Sequence, residues 1–185
     1  MTDQRSVLLL MDFQQSIVDR LANPEVLGNA ATALAAAREA GIPVLFVRVA
    51  FREGAPEVAT ANRQFGGARG RSMGGESDPG AQITASLAPR DDEPLVTKRR
   101  VSAFAGSDLA VLLSAQRAER LVLSGIATSG VVLSTVRQAA DLDFDLLVLA
   151  DACADADPEV HRVLTEKVFP RQAVVTTTDE WIEAL

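Results

Sequence analysis

The sequence has very little cysteine and histidine. Among its 185 residues, Cys153 is the only cysteine and His161 is the only histidine. A single cysteine excludes a disulfide bond within the chain, and one histidine is too few for a zinc site of the usual Cys/His kind. Composition alone still permits a magnesium site made of carboxylates, but the sequence has no motif for one. We therefore expect neither a metal site nor a bound cofactor.

Long apolar runs and an excess of basic residues are also missing. No apolar run approaches the roughly 20 residues that a membrane-spanning helix needs, and the N-terminus lacks the basic-then-apolar pattern of a secretory signal peptide. The formal net charge of -7 argues against general binding to nucleic acid or to an anionic membrane. These absences leave a small-molecule substrate as the expected partner and the cytoplasm as the default location.

Glycine-rich nucleotide motifs are absent too. The sequence contains neither GxGxxG nor GxxxxGK(S/T), so we expect no dinucleotide site and no P-loop. The composition supports a hydrophobic core, because 48% of the residues are hydrophobic and 23% are charged, as in a typical globular domain. A length of 185 residues supports one sizeable domain and is too short for two ordinary ones, so we predict a single domain over 1–185.

Short apolar segments alternate with helical segments along the chain. This alternation predicts a three-layer, doubly wound α/β domain of the Rossmann-like kind, with a six-stranded and mainly parallel sheet. The predicted strands cover 6–12, 43–49, 94–98, 120–124, 144–150 and 173–176, and the predicted helices cover 13–21, 24–40, 106–117, 131–143, 157–168 and 178–185.

The segment at about 51–92 differs from the rest. It is rich in glycine and arginine and shows no helical or strand period beyond a short stretch at 81–87. Segments of this length inside a compact domain are usually lids, interface arms or mobile loops. We predict a lid or interface segment, with a tolerated surface insertion as the equal alternative.

The turn after the fourth predicted strand, Ser124 to Gly130, is made of small residues and leads into a helix. The first N–H groups of a helix have no partner within it, and the helix dipole favours negative charge there. Asp12 ends the first predicted strand and Lys98 ends the third. Because the carboxyl ends of parallel strands meet at one edge of a sheet, both side chains are expected beside this turn. A helix-capping role for Asp12 and a solvated basic edge around Lys98 are the alternatives.

Four pieces of the sequence, in this order and spacing, resemble the isochorismatase-like hydrolase superfamily, also called the cysteine hydrolase family. The resemblance implies the α/β fold predicted above and a triad of Asp, Lys and Cys, whose first two members match Asp12 and Lys98. It also implies a cis peptide bond between Ile126 and Ala127. The matching pieces are LLLMDFQQ at 8–15, TKRRVSAF at 97–104, GIAT at 125–128 with RQAA at 137–140, and VLADAC at 148–153.

One departure from the family pattern decides the chemistry. Where the amidases of the family carry their nucleophilic cysteine, this sequence has Val131, which has no nucleophile and no proton to give. Ser129 could replace the nucleophile if a base lay beside it, and Cys153 could reach over from the fifth strand, although a buried and inert thiol is the expected state of Cys153. The third possibility is hydrolysis without a covalent intermediate, as in family members that keep Asp and Lys and lack the cysteine.

We therefore predict an isochorismatase-like hydrolase that acts on a small molecule without a cysteine nucleophile. Asp12 is the general acid or base, and it can be protonated only if burial outweighs the charge of Lys98, the charge stabiliser. The alternative is a noncatalytic relative that binds a metabolite or serves as a subunit of an assembly, and in either case we expect a homo-oligomer. Three backbone N–H groups are predicted to line an oxyanion or anion site, those of Ala127, Gly130 and Val131, and the possible substrate contacts are Gln15, Phe104 and Ser129. For His161 we predict only a surface role.

Overall fold

The computed structural model describes residues 5–21, 23–69 and 74–185. It contains one six-stranded sheet in the order β3-β2-β1-β4-β5-β6, and every neighbouring pair of strands is parallel. The predicted fold class is confirmed, and the sheet is parallel throughout. The strands are β1 Ser6–Met11, β2 Val44–Val49, β3 Leu95–Lys98, β4 Arg120–Ile126, β5 Asp145–Ala154 and β6 Val174–Thr176.

Helices cover both faces of the sheet. The strands of the sheet's centre are buried on both sides, which explains why β1 reads as an unbroken apolar run. Val7, Leu9 and Met11 pack against α3, α4 and α5, and Leu8 and Leu10 pack against α1, α2 and α6. The helices are α1 Gln15–Leu21, α2 Pro24–Glu39, α3 Leu109–Ala115, α4 Leu133–Asp141, α5 Pro158–Val163 and α6 Thr178–Glu183.

The order of the strands reverses between β1 and β4. From β1 the chain moves outward to β2 and β3, returns to place β4 on the other side of β1, and then continues to β5 and β6. Ligands of open α/β sheets bind at such a reversal, outside the carboxyl ends of the strands. The candidate site is therefore expected beyond Met11 of β1 and Ile126 of β4.

Two strand boundaries differ from the prediction. β4 extends to Ile126 instead of ending at 124, and β5 extends to Ala154 instead of ending at 150. The register between them shifts, so that Leu123 pairs with Val148 but Gly125 pairs with Cys153. The Ser124 hydroxyl donates to the Ala152 carbonyl oxygen at 2.7 Å inside this irregular region. The predicted turn is shorter as a result, and a π-helical turn, Thr128–Val132, precedes α4.

The predicted helix over 106–117 begins only at Leu109. Gly106 has a φ of 73°, which is not helical, so the helix cannot begin there. The Ser107 hydroxyl donates to the Ala103 carbonyl oxygen at 2.6 Å. The long segment 51–92 contains three single 3-10 turns and no longer element among its described residues, which leave out 70–73. Phe51 and Phe65 pack edge to face within it.

None of the helices in the described ranges is long and apolar enough to cross a membrane.

Gly125 is required by the close approach of β4 to β1. A Cβ atom at this position would lie 2.7 Å from the carbonyl oxygen of Met11 and 2.9 Å from its Cβ atom. Gly125→Ala is expected to lower the free energy of unfolding by about 2 kcal/mol or more, because backbone must move to relieve the overlap. Urea unfolding measures the change.

Gly28→Ala is the matched control for that substitution. Gly28 lies inside α2, and a Cβ atom there meets nothing within 4 Å. Alanine is the better helix former, so Gly28→Ala is expected to stabilise the protein by about 0.5–1 kcal/mol. Equal stability of Gly125→Ala and the parent protein would contradict the account of the β1–β4 contact.

Candidate active site

Asp12 directly follows β1 at the reversal of strand order. Its N–H donates to the Val47 carbonyl oxygen at 2.8 Å, so the backbone continues the ladder for one more residue. Its φ of 60° lies in the left-handed region, which aspartate and asparagine enter more readily than other residues with a side chain. The residue is only 6% exposed, so its carboxyl group is held in the interior.

Lys98 is the last residue of β3 and reaches Asp12 past the intervening strand β2. Its Nζ atom lies 3.0 Å from Oδ2 of Asp12 and donates to the Arg100 carbonyl oxygen at 3.0 Å. At 1% exposure, Lys98 is fully buried, unlike the solvated basic edge that was the alternative. The structure thus brings together the two side chains that the sequence placed at one edge of the sheet.

The two oxygens of Asp12 have different surroundings. Oδ2 contacts Lys98, whereas Oδ1 is buried and has no hydrogen-bond partner among the described residues. Burial raises the pKa of Asp12 to about 6, and this effect outweighs the charge and hydrogen bond of Lys98, which lower the pKa. A carboxyl group with such a pKa exchanges its proton near neutral pH.

Val131 lies in the wall of the same cavity, which has a volume of about 620 Å³ and is also lined by Asp12 and Lys98. Its side chain is 2% exposed and joins the apolar core on the α3 and α4 side of the sheet. A branched aliphatic residue that packs into the core therefore occupies the position where the resemblance places a nucleophile.

Several N–H groups of the turn between β4 and α4 already have acceptors. The Gly130 N–H donates to the Ala127 carbonyl oxygen at 3.0 Å, so this predicted donor of the anion site is engaged within the turn. The Ser129 N–H donates to Oδ2 of Asp155 at 2.7 Å. Ala127 and Val131, the other two predicted donors, line the cavity. The peptide bond between Ile126 and Ala127 is cis, as the resemblance implied.

The three residues predicted to contact substrate do not line the cavity. Gln15 is exposed on α1 and donates from Nε2 to Oδ1 of Asp19 at 2.7 Å. Its neighbour Gln14 is the buried one, and its amide bonds the backbone of Val49 and Ala81.

Phe104 is 9% exposed and stacks on Phe144 with ring centroids 6.3 Å apart, which places it in the core and not in the cavity wall. Ser129 is exposed at the surface of the turn and outside the cavity wall, where its side chain hydrogen-bonds the carboxylate of Asp155. None of the three lines the cavity that holds Asp12 and Lys98, and their role as substrate contacts stays a prediction.

His161 lies only partly at the surface, and the predicted surface role leaves out its contact with the β4–α4 turn. It is half-buried on α5, and its Nδ1 atom lies 2.8 Å from the Thr128 hydroxyl in the β4–α4 turn. Burial lowers the pKa of His161, against the charge of Asp155, which raises it. The imidazole is therefore an uncharged brace of the turn at neutral pH.

Cys153 is 2% exposed within β5, and burial raises the pKa of its thiol to about 12. A thiol with this pKa stays protonated and is a poor nucleophile. Cys153 is also absent from the wall of the cavity that holds Asp12. Among the residues that the structure describes, no three His, Cys, Asp or Glu side chains lie together in a way that could hold a metal ion.

Sequence reasoning missed several residues of the cavity wall. Asp155 was missed because β5 runs further than its apolar run indicated, which carries the residue to the edge where β1 and β4 end. Gln64 and Phe65 belong to 51–92, whose course has no local pattern to predict it. The residues that line the cavity and were not predicted are Ile17, Arg20, Leu21, Asn23, Val49, Gln64, Phe65, Val101, Ile126, Asp155 and Ala156.

Fold and site together define an α/β protein with a buried Asp–Lys pair beside a strand-to-helix turn, and known proteins of this kind match the chain along its length. A family model for the isochorismatase domain matches residues 6–180. The chain belongs to the isochorismatase family of hydrolases, and the resemblance found in the sequence is confirmed.

Individual relatives show the same extent of similarity. The isochorismatase family protein YwoC of Bacillus subtilis is 31% identical over 180 residues, covering 97% of this chain and 94% of YwoC. The phenazine biosynthesis protein PhzD of Pseudomonas fluorescens is 33% identical over 184 residues, covering 96% of this chain and 84% of PhzD. A cysteine hydrolase from Pseudomonas syringae shares the fold with a TM-score of 0.89 at 21% identity, covering 97% of this chain and 91% of its own.

Proposed function

We propose that this chain hydrolyses a small molecule without a covalent enzyme intermediate, with Asp12 as the proton donor and Lys98 as the charge stabiliser. The observation that carries the proposal is the buried Asp12 carboxyl group, whose Oδ1 atom is unpartnered among the described residues, in the wall of a cavity that also has an aliphatic residue where a nucleophile would lie. A free oxygen on a carboxyl group with a pKa of about 6 is suited to give a proton to a bound substrate.

The surroundings of the other candidates support this assignment. Ser129 lies outside the cavity wall, and the Cys153 thiol is buried with its pKa raised to about 12. The Ser129 side chain contacts the Asp155 carboxylate, but neither Ser129 nor Cys153 offers its nucleophilic atom to a molecule in this cavity. Water is the remaining nucleophile, and a cavity of about 620 Å³ has room for a small molecule together with one water.

Enol ethers are the substrate class that this chemistry fits best. Their hydrolysis starts with proton transfer to carbon, which needs an acid and no covalent catalyst. When Asp12 gives up its proton it becomes a carboxylate, and the Nζ atom of Lys98 at 3.0 Å stabilises that charge as it develops. Isochorismate, which contains an enol ether of pyruvate, is therefore the first substrate to test.

The test is a hydrolysis screen of the purified protein against isochorismate, a primary amide and an N-carbamoyl amino acid. We expect release of pyruvate from isochorismate, measured with coupled lactate dehydrogenase, and no turnover of the amide or carbamoyl compounds. Intact-mass spectrometry during turnover should show only the unmodified chain, because no acyl-enzyme forms.

Val131→Cys is the informative variant for the same screen. A thiol at this position would restore the Asp–Lys–Cys set that the family resemblance implies, and we expect amide hydrolysis to appear with a covalent mass adduct. Turnover of amides by the parent protein would contradict the proposal. Retention of isochorismate without turnover would indicate instead a noncatalytic protein that binds a metabolite.

A further inference from the structure

Asp155 follows β5 and lies in the link to α5, at the same edge of the sheet as Asp12. It lines the cavity that contains Asp12, Lys98 and Val131, and it also lines a smaller neighbouring cavity of about 310 Å³. The large cavity therefore has a second carboxylate in its wall, which the family's Asp, Lys and Cys set does not include.

Backbone donors hold the Asp155 carboxylate in place. Its Oδ2 atom accepts from the Ser129 N–H at 2.7 Å, and its Oδ1 atom accepts from the Asp157 N–H at 3.4 Å. Burial raises the pKa of Asp155, but hydrogen bonds from Ser129, Asp157 and Ala156 outweigh this effect and hold the pKa below its usual value. The side chain is therefore negatively charged at neutral pH.

The two carboxyl groups of the cavity have opposite protonation behaviour. Asp12 is buried with an unpartnered oxygen and a raised pKa, whereas Asp155 is fixed by N–H donors and has a lowered pKa. Environments that separate the pKa values of two carboxyl groups in one site are typical of an acid that works beside a charge-stabilising partner.

We propose that Asp155 is a second catalytic residue, whose carboxylate stabilises the positive charge formed when the substrate is protonated and accepts a proton from the attacking water. This inference rests on the proposed function, since it needs a reaction that passes through a cationic carbon. The inference gives a role to Asp155, a cavity residue to which the proposed roles of Asp12 and Lys98 assign none.

The steps balance as follows. The π electrons of the enol ether take the proton of Asp12 onto the methylene carbon, leaving a carboxylate on Asp12 and a carbon cation conjugated with the ether oxygen. Water forms a C–O bond to that carbon, and its proton passes to Asp155, which gives a neutral hemiketal. The hemiketal's ether C–O bond then breaks, the leaving alcohol takes the proton from Asp155, and the new carbonyl releases its hydroxyl proton to Asp12. Both aspartates return to their starting states.

A purely structural role is the rival explanation, because the bond from the Ser129 N–H braces the β4–α4 turn. Asp155→Asn separates the two roles. The amide oxygen of asparagine still accepts from the Ser129 N–H, while the charge and the proton acceptor are lost. Asp157→Asn is the matched control, since Asp157 caps α5 by accepting from the Glu159 N–H at 2.9 Å and does not line the cavity.

Steady-state hydrolysis of isochorismate is the first measurement. We expect kcat of Asp155→Asn to fall about 100-fold with KM within about threefold of the parent value, and kcat of Asp157→Asn to stay within about threefold. Thermal unfolding checks that both variants fold. A kcat for Asp155→Asn within about threefold of the parent value would assign Asp155 to bracing alone and overturn the inference.

Binding of benzamidine is the second measurement, and it does not need turnover. Failure of the parent protein to hydrolyse isochorismate would count against the proposed function, but the role of Asp155 could still be tested by this binding. Benzamidine is a planar, delocalised cation and resembles the charge of the proposed intermediate. By isothermal titration calorimetry we expect its Kd to rise at least about tenfold in Asp155→Asn and to stay unchanged in Asp157→Asn. No binding, or equal Kd values in the parent protein and Asp155→Asn, would overturn the role of Asp155 independently of turnover.

Discussion

Asp12→Asn is expected to lower kcat for isochorismate about 1,000-fold, because the amide has the shape of the carboxyl group and no acidic proton to give. Asparagine also accepts the φ of 60° at this position, so the backbone has no reason to rearrange. The measurement is steady-state release of pyruvate. Asp19→Asn on α1 is the control, since Asp19 is exposed and does not line the cavity. A loss of less than about tenfold in Asp12→Asn would show that the proton comes from another group.

The pH dependence of the parent protein tests the same role. With a pKa of about 6, Asp12 is about 90% protonated at pH 5 and about 1% protonated at pH 8. If the protonated form reacts, kcat/KM falls roughly 90-fold between these values as pH rises. An increase of kcat/KM as pH rises through 6 would indicate that Asp12 acts as a base and would contradict its assignment as the acid.

Stability follows the same titration. The folded state raises the pKa of Asp12 from 3.8 to about 6, so in this range of pH the folded state binds more protons than the unfolded state. The contribution of Asp12 to the free energy of unfolding is therefore fully present below pH 3.8 and is lost as pH rises through about 6. Asp12→Asn should remove this slope, which urea unfolding at a series of pH values measures.

Lys98→Met is the second substitution with a large expected effect, and it changes the pKa of Asp12 first. Methionine keeps most of the length of the lysine side chain and removes the positive charge at 3.0 Å from Oδ2. Burial then acts alone, so the pKa of Asp12 should rise above about 6. Carbon-13 NMR of the labelled aspartate carboxyl groups reports this titration.

The rate should fall as well. Without Lys98 the carboxylate left by proton transfer is buried without a partner, so we expect kcat to fall about 100-fold. Lys167→Met, at an exposed position outside the cavity wall, is the control and should leave both readouts unchanged. An unaltered pKa of Asp12 in Lys98→Met would mean that the two side chains are not coupled in solution.

Much of the fold could be predicted because it depends on local patterns. The apolar run before Asp12 and the one before Lys98 each end at a charged residue, and parallel strands bring such ends to one edge. The Asp–Lys pair follows from these two facts without any knowledge of the turns between them. The predictions of a single domain, a cytoplasmic location and a homo-oligomer stay predictions.

The missed features depend on contacts between distant segments. The register shift between β4 and β5 extends β5 to Ala154 and thereby brings Asp155 to the cavity, which no period within β5 could indicate. The path of 51–92 depends on ion pairs with residues far along the chain, such as those of Arg99 with Glu57 and Glu76. The burial of Gln14 could not be predicted either, because the direction of a side chain just after a left-handed residue does not follow strand alternation.

The left-handed backbone at Asp12 also limits the evolutionary routes open to this enzyme family member. Glutamate, the other carboxylic acid in the genetic code, enters the left-handed region at a cost of about 1–2 kcal/mol. Its extra methylene would also have to fit into an interior where Asp12 is 6% exposed. A lineage that exchanged aspartate for glutamate would need a compensating change of backbone. Exchange for asparagine keeps the shape of the side chain and removes its acidic proton. Under the role proposed for Asp12, loss of catalysis with retention of the fold is thus a single-residue step, and relocation of the acid is not.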